Sequence, residues 1–271
     1  MIKQIAKQLL SKQKKIIKKL SKNIYIPKKN NQKIIEHMEI DFILSRYFYK
    51  KNFKILEIGS HQGEIFNILL SNNFKQKFDL TCIEPNPDSF RTLQSKYSKK
   101  IKSFIDAKFY NFGVSLNGGK LTFYSPSEST TLFTLLEDNL EKFDLKNESI
   151  KKIKIQTYSI SQLLHDKKYL DRDYDLIKID TEGYDYIISL EILKEKISFQ
   201  NLMIELNTDN FQKLKEIFEK LKHFYVYLFL REGINTLTIE KINTFEQIFE
   251  LSEYFQNKVK SPITGNILFL K

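Results

Sequence analysis

Residues 53–63, FKILEIGSHQG, carry an apolar strand pattern into Glu57-x-Gly59-x-x-x-Gly63, with a helical pattern directly behind it. Glycines at these positions let the chain turn sharply and approach a ligand closely, and the first N–H groups of the following helix lack backbone partners. The spacing differs from the G-x-G-x-x-G that cradles a pyrophosphate, which argues against a nicotinamide cofactor. Twenty-one residues beyond Gly63 a second strand pattern ends in TCIEPNP, where Glu84 is placed to accept two hydrogen bonds from ribose hydroxyls. Either motif alone is also explained by a tight strand-to-helix turn or a helix cap. In this order and at this distance they point to a nucleoside-type cofactor, with Glu57, Gly59, Ser60, Gly63, Glu84 and Pro85 as the residues that would hold it.

A third segment, DYDLIKIDTEGYDYIIS at 173–189, places Leu176, Lys178 and Asp180 on one face of a strand and Ile177 and Ile179 on the other. Asp180 then falls at the strand's carboxyl end, where open α/β sheets form their ligand crevice, and Glu182-Gly183 opens the next helix. Asp180, Lys178 and Glu182 are the candidate catalytic residues, with Asp180 as the base. An ammonium beside a carboxylate makes it a weaker base, and in that case Asp180 would orient a hydroxyl instead. It could also bind a divalent ion with Glu205 and Asn207, the hard oxygen donors at the end of the next strand and the candidate substrate residues. The plainer alternative is that Lys178 and Asp180 only pair and Glu182 only offsets a helix terminus.

These side chains need a sheet to carry them. Strand patterns occur at 53–58, 78–84, 108–114, 152–157, 174–180, 200–206, 224–230, 236–239 and 266–270, and helical patterns at 34–49, 64–70, 88–97, 159–164, 184–193 and 210–221. Strands alternating with helices imply right-handed crossovers and a parallel sheet covered on both faces. Less helix separates the late strands, so an antiparallel C-terminal edge is expected. Asn117-Gly118-Gly119 predicts a hairpin, and the polar stretch 125–147 predicts an insertion or lid.

In sequence order, ILEIGSHQG, IEPNP, NFGVSLNGGKLTFY, IKIQTYSISQLL, DLIKIDTEGYD and the IELN strand resemble the FkbM-type S-adenosylmethionine methyltransferases over roughly residues 50–271. IKIDTEGYD, similar to the family's K-I-D-x-E-G signature, is the most specific element, and the glycine loop departs from the family at His61 and Gln62. The resemblance implies an α/β fold with a Rossmann-like class I methyltransferase sheet, S-adenosylmethionine as cofactor, and O-methylation of a hydroxyl on a sugar, surface glycan or glycolipid precursor.

Net charge is +11, and residues 1–33 supply it, with eleven Lys and no acid. The rest, 34–271, has 33 basic and 33 acidic residues and is formally neutral, which argues against a nucleic-acid substrate. Ile2, Ile5, Leu9, Ile16 and Leu20 recur at helical spacing among these lysines. The pattern predicts a basic amphipathic leader that docks on an anionic membrane surface or an acidic partner, ahead of one methyltransferase domain at 34–271. The bland alternative is a solvated helix packed on the body. An RNA methyltransferase using the Lys-rich leader and a non-catalytic subunit of the same fold are the competing functions. One cysteine, Cys82, excludes an intrachain disulfide, and the scattered His give no zinc spacing. The longest apolar run, Phe224 to Leu230, has seven residues, where spanning a bilayer takes about 18 or more. A cytoplasmic protein, at the inner face of the membrane if the leader docks there, is the expectation.

Overall fold

The computed structural model describes residues 38–47, 49–71, 76–97, 104–126, 150–206, 211–232, 236–250 and 264–271. The leader at 1–33, most of the polar insertion and Asn207 lie outside the described residues. The chain divides after Arg46 into two units. In the first, α1 (Met38–Arg46) carries buried Ile40, Ile43 and Leu44 at helical spacing.

The second unit is built on β1 (Asn52–Ile58), α2 (Glu64–Ser71), β2 (Lys77–Ile83), α3 (Pro87–Tyr97) and β3 (Ile105–Tyr110). A small branch follows with β4 (Gly113–Val114), β5 (Gly119–Pro126) and β6 (Ile150–Tyr158). The chain continues through α4 (Ile160–His165), β7 (Asp173–Ile179), α5 (Asp185–Lys194), β8 (Ser198–Glu205), α6 (Phe211–Lys220), β9 (Tyr225–Glu232), β10 (Thr236–Ile242) and β11 (Thr264–Leu270).

Eight strands form one sheet in the order β10-β9-β11-β8-β7-β1-β2-β3. From β3 to β8 every pairing is parallel. The expected antiparallel region is present, but the last strand is not at its edge. It enters between β8 and β9, antiparallel to both, and β10 takes the edge.

The central strands are almost continuously buried, as strands covered on both faces must be. On one face Leu56, Ile58, Ile177, Ile179, Leu202 and Ile204 pack with Leu163 of α4, Ile188 and Ile192 of α5, and Leu214 and Ile217 of α6. On the other, the ring of Phe66 from α2 lies 3.8 Å from Tyr97 of α3 and 5.9 Å from Phe109 of β3. A fully buried side chain of this size contributes about 1.5–3 kcal/mol, so both faces add to the stability of the strand ends that carry the site.

Two expectations are corrected. The strand pattern 108–114 breaks after Tyr110, because Asn111 Nδ2 donates to the Glu84 carbonyl at 2.9 Å and the chain turns into the small branch. Asn117–Gly119 does turn, but it closes no hairpin: β6 lies between β4 and β5, parallel to the first and antiparallel to the second. The loop wraps the end of β6, with Thr157 opposite both Gly113 and Gly119 and its hydroxyl donating to the Gly119 carbonyl at 3.0 Å. No helix among the described residues is long and apolar enough to cross a membrane.

Candidate active site

The chain order reverses between β1 and β7: β2 and β3 extend the sheet one way from β1, and β7 and β8 the other. Crevices of open α/β sheets form at such a switch point, at the carboxyl ends of the strands. An open crevice lies there. Ile58, Gly59 and His61 line it behind β1, Ile83, Glu84 and Pro85 behind β2, and Lys178, Asp180, Thr181 and Glu182 behind β7, with Gly113, Val114 and Phe123 entering from the small branch.

Gly59, at φ +84°, owes its identity to the neighbouring strand. A β-carbon there would overlap the Asp180 carbonyl oxygen. Gly63, at φ +83°, is required by helix packing, since its β-carbon would lie 2.6 Å from Leu93 Cδ1 and 2.8 Å from Tyr97 Cε2. The Tyr97 hydroxyl, 3.0 Å from the Gly63 carbonyl and 2.8 Å from Asn67 Oδ1, ties the loop to α3. Ser60 is buried behind the loop, its hydroxyl donating to the Ile83 carbonyl at 3.1 Å.

Glu84 is 5% exposed and held by two main-chain donors. Asn86 N–H reaches Oε1 at 2.7 Å, and His61 N–H reaches Oε2 at 2.6 Å. Each oxygen keeps a lone pair for a further donor. Burial pushes Glu84 up to about 7 against the opposing effect of those N–H groups. Asn86, not Glu84, caps α3, accepting from Asp88 N–H at 2.9 Å ahead of Pro87 in the first helical position.

On the β7 side Lys178 is 4% exposed, and its Nζ lies 2.9 Å from Asp180 Oδ2, 3.8 Å from Glu57 Oε1 and 3.9 Å from Glu64 Oε2. Burial opposes its charge, but the carboxylates of Asp180, Glu57 and Glu64 outweigh burial and hold it protonated, above the ordinary lysine range. One ammonium cannot neutralise three carboxylates. Glu57, fully buried, is pushed up to about 8 by burial despite Lys178, and its Oε1 accepts no hydrogen bond. Glu57 therefore lies beneath the crevice floor, opposite Cys82 on one side and Lys178 on the other.

Glu182, at φ +53°, rises to about 8 through burial and the nearby charges of Asp180 and Asp185. Asp185 organises the turn before α5, whose capping position, Tyr184, makes no side-chain cap. It accepts from Gly183 N–H at 3.1 Å, Thr181 N–H at 3.3 Å and the Thr181 hydroxyl at 3.2 Å. Burial and Asp180 push it up to about 7. Glu205, at the end of β8, is pushed well above the ordinary carboxylate range by burial and the charges of Asp180, Asp185 and Glu182.

Of the sequence-predicted residues, Gly59, Glu84, Pro85, Lys178, Asp180 and Glu182 thus line one crevice. Glu57, Ser60, Gly63 and Glu205 stand outside its lining, and Asn207 lies outside the described residues. Among the described residues no group of three or more His, Cys, Asp or Glu is placed to hold a metal ion. Sequence reasoning missed His61, Glu64, Thr181 and the wall formed by Gly113, Val114 and Phe123. Asp185, two residues after Gly183, carried a local signal, since short acidic side chains commonly bond to nearby N–H groups.

The crevice fits S-adenosylmethionine by its donor set. Glu84 presents free acceptor sites for a ribose, Ile58, Ile83, Pro85, Val114 and Phe123 give an apolar wall for a base, and the carboxylates suit a sulfonium and an ammonium.

A family comparison matches residues 57–233 to the methyltransferase FkbM domain. A comparison with curated proteins finds no match. Among similar solved structures is the FkbM methyltransferase of Methylobacillus flagellatus KT, at 17% identity and a TM-score of 0.43, covering 71% of this chain and 44% of that one. The chain thus spans less than half the length of that protein. A precorrin-6y C5,15-methyltransferase from Geobacter metallireducens GS-15 is 11% identical, with a TM-score of 0.41 and coverage of 85% and 86%. The M. capricolum TrmK in complex with S-adenosylhomocysteine is 15% identical, with a TM-score of 0.37 and coverage of 85% and 68%. The family match takes in the glycine loop, Glu84 and the whole Lys178–Glu182 segment, and on that match the chain belongs to the FkbM methyltransferase family, with the fold of the class I S-adenosylmethionine-dependent methyltransferases.

Proposed function

We propose that the protein is an O-methyltransferase acting on a hydroxyl of a sugar, surface glycan or glycolipid precursor. The observation that carries this reading is the placement of Asp180 and Glu182 in the same crevice as Glu84, on the opposite side of the switch point. Family membership supports the methyl-transfer chemistry. Bound S-adenosylmethionine would supply an electrophilic methyl carbon on a sulfonium.

The chain's own residues then divide the work. Glu84 accepts from the ribose hydroxyls. Lys178 engages Asp180 through Oδ2, which leaves Oδ1 to accept from the acceptor hydroxyl and align its oxygen. Such alignment is the main thing a displacement needs from a protein, and orientation of this kind removes up to about 7–11 kcal/mol of barrier. Glu182, near 8, lies in the range where a carboxylate takes a proton at neutral pH, and it accepts the proton the hydroxyl loses. The leader, outside the described residues, would hold the enzyme at anionic lipid where glycolipid precursors are made.

The test is methyl release from labelled S-adenosylmethionine against sugar nucleotides, oligosaccharides and RNA. Transfer to a saccharide hydroxyl is the expected result. Transfer to RNA alone would overturn the acceptor class while leaving the cofactor assignment intact.

A further inference from the structure

The small branch that walls the crevice has a second face. β5 and β6 pair antiparallel with Lys120 opposite Gln156, Thr122 opposite Lys154 and Tyr124 opposite Lys152. Side chains alternate across a strand, so these six share one face, while Phe123 and Ile155 are buried on the other, and Phe123 lines the crevice. Lys120, Lys152, Lys154 and Gln156 are exposed.

Each rung of the outer face thus carries one lysine and one neutral side chain. Residues two apart along a strand are separated by about 7 Å, so the three lysines repel one another within a Debye length. Lys154 Nζ donates to Thr122 Oγ1 at 2.8 Å, and Lys152 Nζ lies 5.3 Å from the centre of the Tyr124 ring; neither contact neutralises a charge. Lys151, on the opposite face of β6, instead reaches the Asp88 carboxylate at 3.5 Å.

A group of like charges on an exposed face attracts an anionic partner, and the crevice limits which one. Beyond Lys178 and His61, the ionisable groups of its lining are the acids Glu64, Glu84, Asp180 and Glu182, so a phosphate chain running from the ribbon into the crevice would meet like charge. A layer of lipid headgroups can cover the outer face without entering. A tyrosine among lysines suits the same boundary between water and lipid. We propose that the outer face of β5 and β6 docks on an anionic lipid surface and so holds the crevice wall, the other face of the same two strands, at the membrane. In its choice of a lipid surface the proposal rests on the reading of the acceptor as a glycolipid precursor, but vesicle binding tests it without any methyl transfer.

The experiment is titration of the full chain with vesicles of phosphatidylglycerol and phosphatidylcholine, with vesicles of phosphatidylcholine alone, and with an RNA oligonucleotide. It is repeated on a ribbon variant, Lys120→Gln with Lys152→Gln and Lys154→Gln, and on a charge-matched control, Lys77→Gln with Lys215→Gln and Lys222→Gln, whose lysines are exposed on other elements. All three proteins keep the eleven lysines of residues 1–33, so the leader contributes equally. The ribbon variant should bind anionic vesicles about 10- to 100-fold more weakly than the full chain, the control should stay within about threefold, and added salt should shrink the difference. Equal weakening of both variants, no weakening of the ribbon variant, or a full chain that does not prefer anionic vesicles would overturn the proposal. So would a ribbon variant that loses RNA binding with vesicle binding unchanged. Should the triple variant not fold, Lys120→Gln with Lys154→Gln against Lys215→Gln with Lys222→Gln gives the same comparison, with about 5- to 20-fold expected. A full chain that methylates a saccharide but binds no anionic vesicle keeps the proposed function and overturns the docking face. One that binds vesicles through the ribbon but transfers methyl only to RNA keeps the docking face and overturns the proposed acceptor.

Discussion

On the bank of the crevice made by β1 and β2, the key carboxylate is held by neutral groups: Glu84 sits between the main-chain N–H groups of His61 and Asn86. On the bank made by β7, the key carboxylate is held by a charge: Asp180 pairs with Lys178, which also faces Glu57 and Glu64. Amide donors belong to the backbone, so the first bank is preorganised by the fold and keeps its geometry when protons move. The second bank is a cluster of acids around one ammonium, and its geometry follows their protonation. A cofactor that must be recognised at every turnover suits the first arrangement. Under the proposed function, an acceptor hydroxyl that must lose a proton suits the second, where burial and the charge of Asp180 raise Glu182 and Asp185.

If the banks are separable, changing one should leave the other's observable alone. Asp180→Asn keeps the shape of the side chain and removes its charge, so turnover should fall by about 10²–10⁴-fold while S-adenosylmethionine affinity changes less than about threefold. Normal turnover would end the catalytic candidacy of Asp180. Equal loss of turnover and cofactor affinity would mean that the two banks act as one.

The next effect tests the seam between the banks. Gly59 packs on the main chain of Asp180, whereas Gly63 packs on the side chains of Leu93 and Tyr97. Both substitutions to Ala incur strain at positive φ, but only side chains can rearrange. Gly59→Ala should therefore destabilise the protein by about 3 kcal/mol or more and Gly63→Ala by about 1–2 kcal/mol, as read from urea unfolding. Equal losses would show that the seam is not what fixes Gly59.

A smaller and more local change is expected on the first bank. Glu84→Ala removes two charged acceptors and should weaken cofactor binding by about 1.5–3 kcal/mol, with turnover at saturating cofactor largely retained. Calorimetry showing unchanged affinity would remove Glu84 from the ribose.

The reading of Glu84 and Asp180 came from short-range signals: a strand period of two fixes which residues share a face, and the carboxyl end of a strand fixes where they emerge. What was not legible depends on pairings between distant segments. The place of β11 between β8 and β9 is decided by strand pairing far along the chain, which its own apolar pattern does not specify. The Asn117–Gly119 turn predicts a hairpin of its flanking segments, but β6 lies between β4 and β5, and Val114 of β4 and Phe123 of β5 both line the crevice. The glycine spacing predicts a sharp turn, while the specific neighbour of Gly59, the Asp180 carbonyl, follows from the pairing of β1 with β7. Likewise the approach of Lys178 to Glu57 follows from the register of β7 on β1, while its approach to Glu64 brings in α2.

The last and smallest effect concerns the unliganded protein. Glu57 and Glu182 are raised to about 8, and Glu84 and Asp185 to about 7, all chiefly by burial. A carboxyl raised on folding keeps its proton in the native state at a pH where the unfolded chain has released it. Its contribution to stability is full below the ordinary carboxylate range near 4.5 and is lost as pH rises through its native value. Across pH 5.5 to 8.5 these four groups all act in the same direction, so the thermal midpoint of the free protein should fall by several degrees, most steeply below about pH 7 and levelling off above about pH 8. Lys178, held above the ordinary lysine range, stays charged throughout this window. A cationic ligand in the crevice favours the ionised acids, so saturating S-adenosylmethionine should flatten the fall. Thermal scans of free and liganded protein across the window would show both trends. A midpoint that rises with pH in the free protein would mean that the second bank is relieved by the solvent and is not held under electrostatic strain.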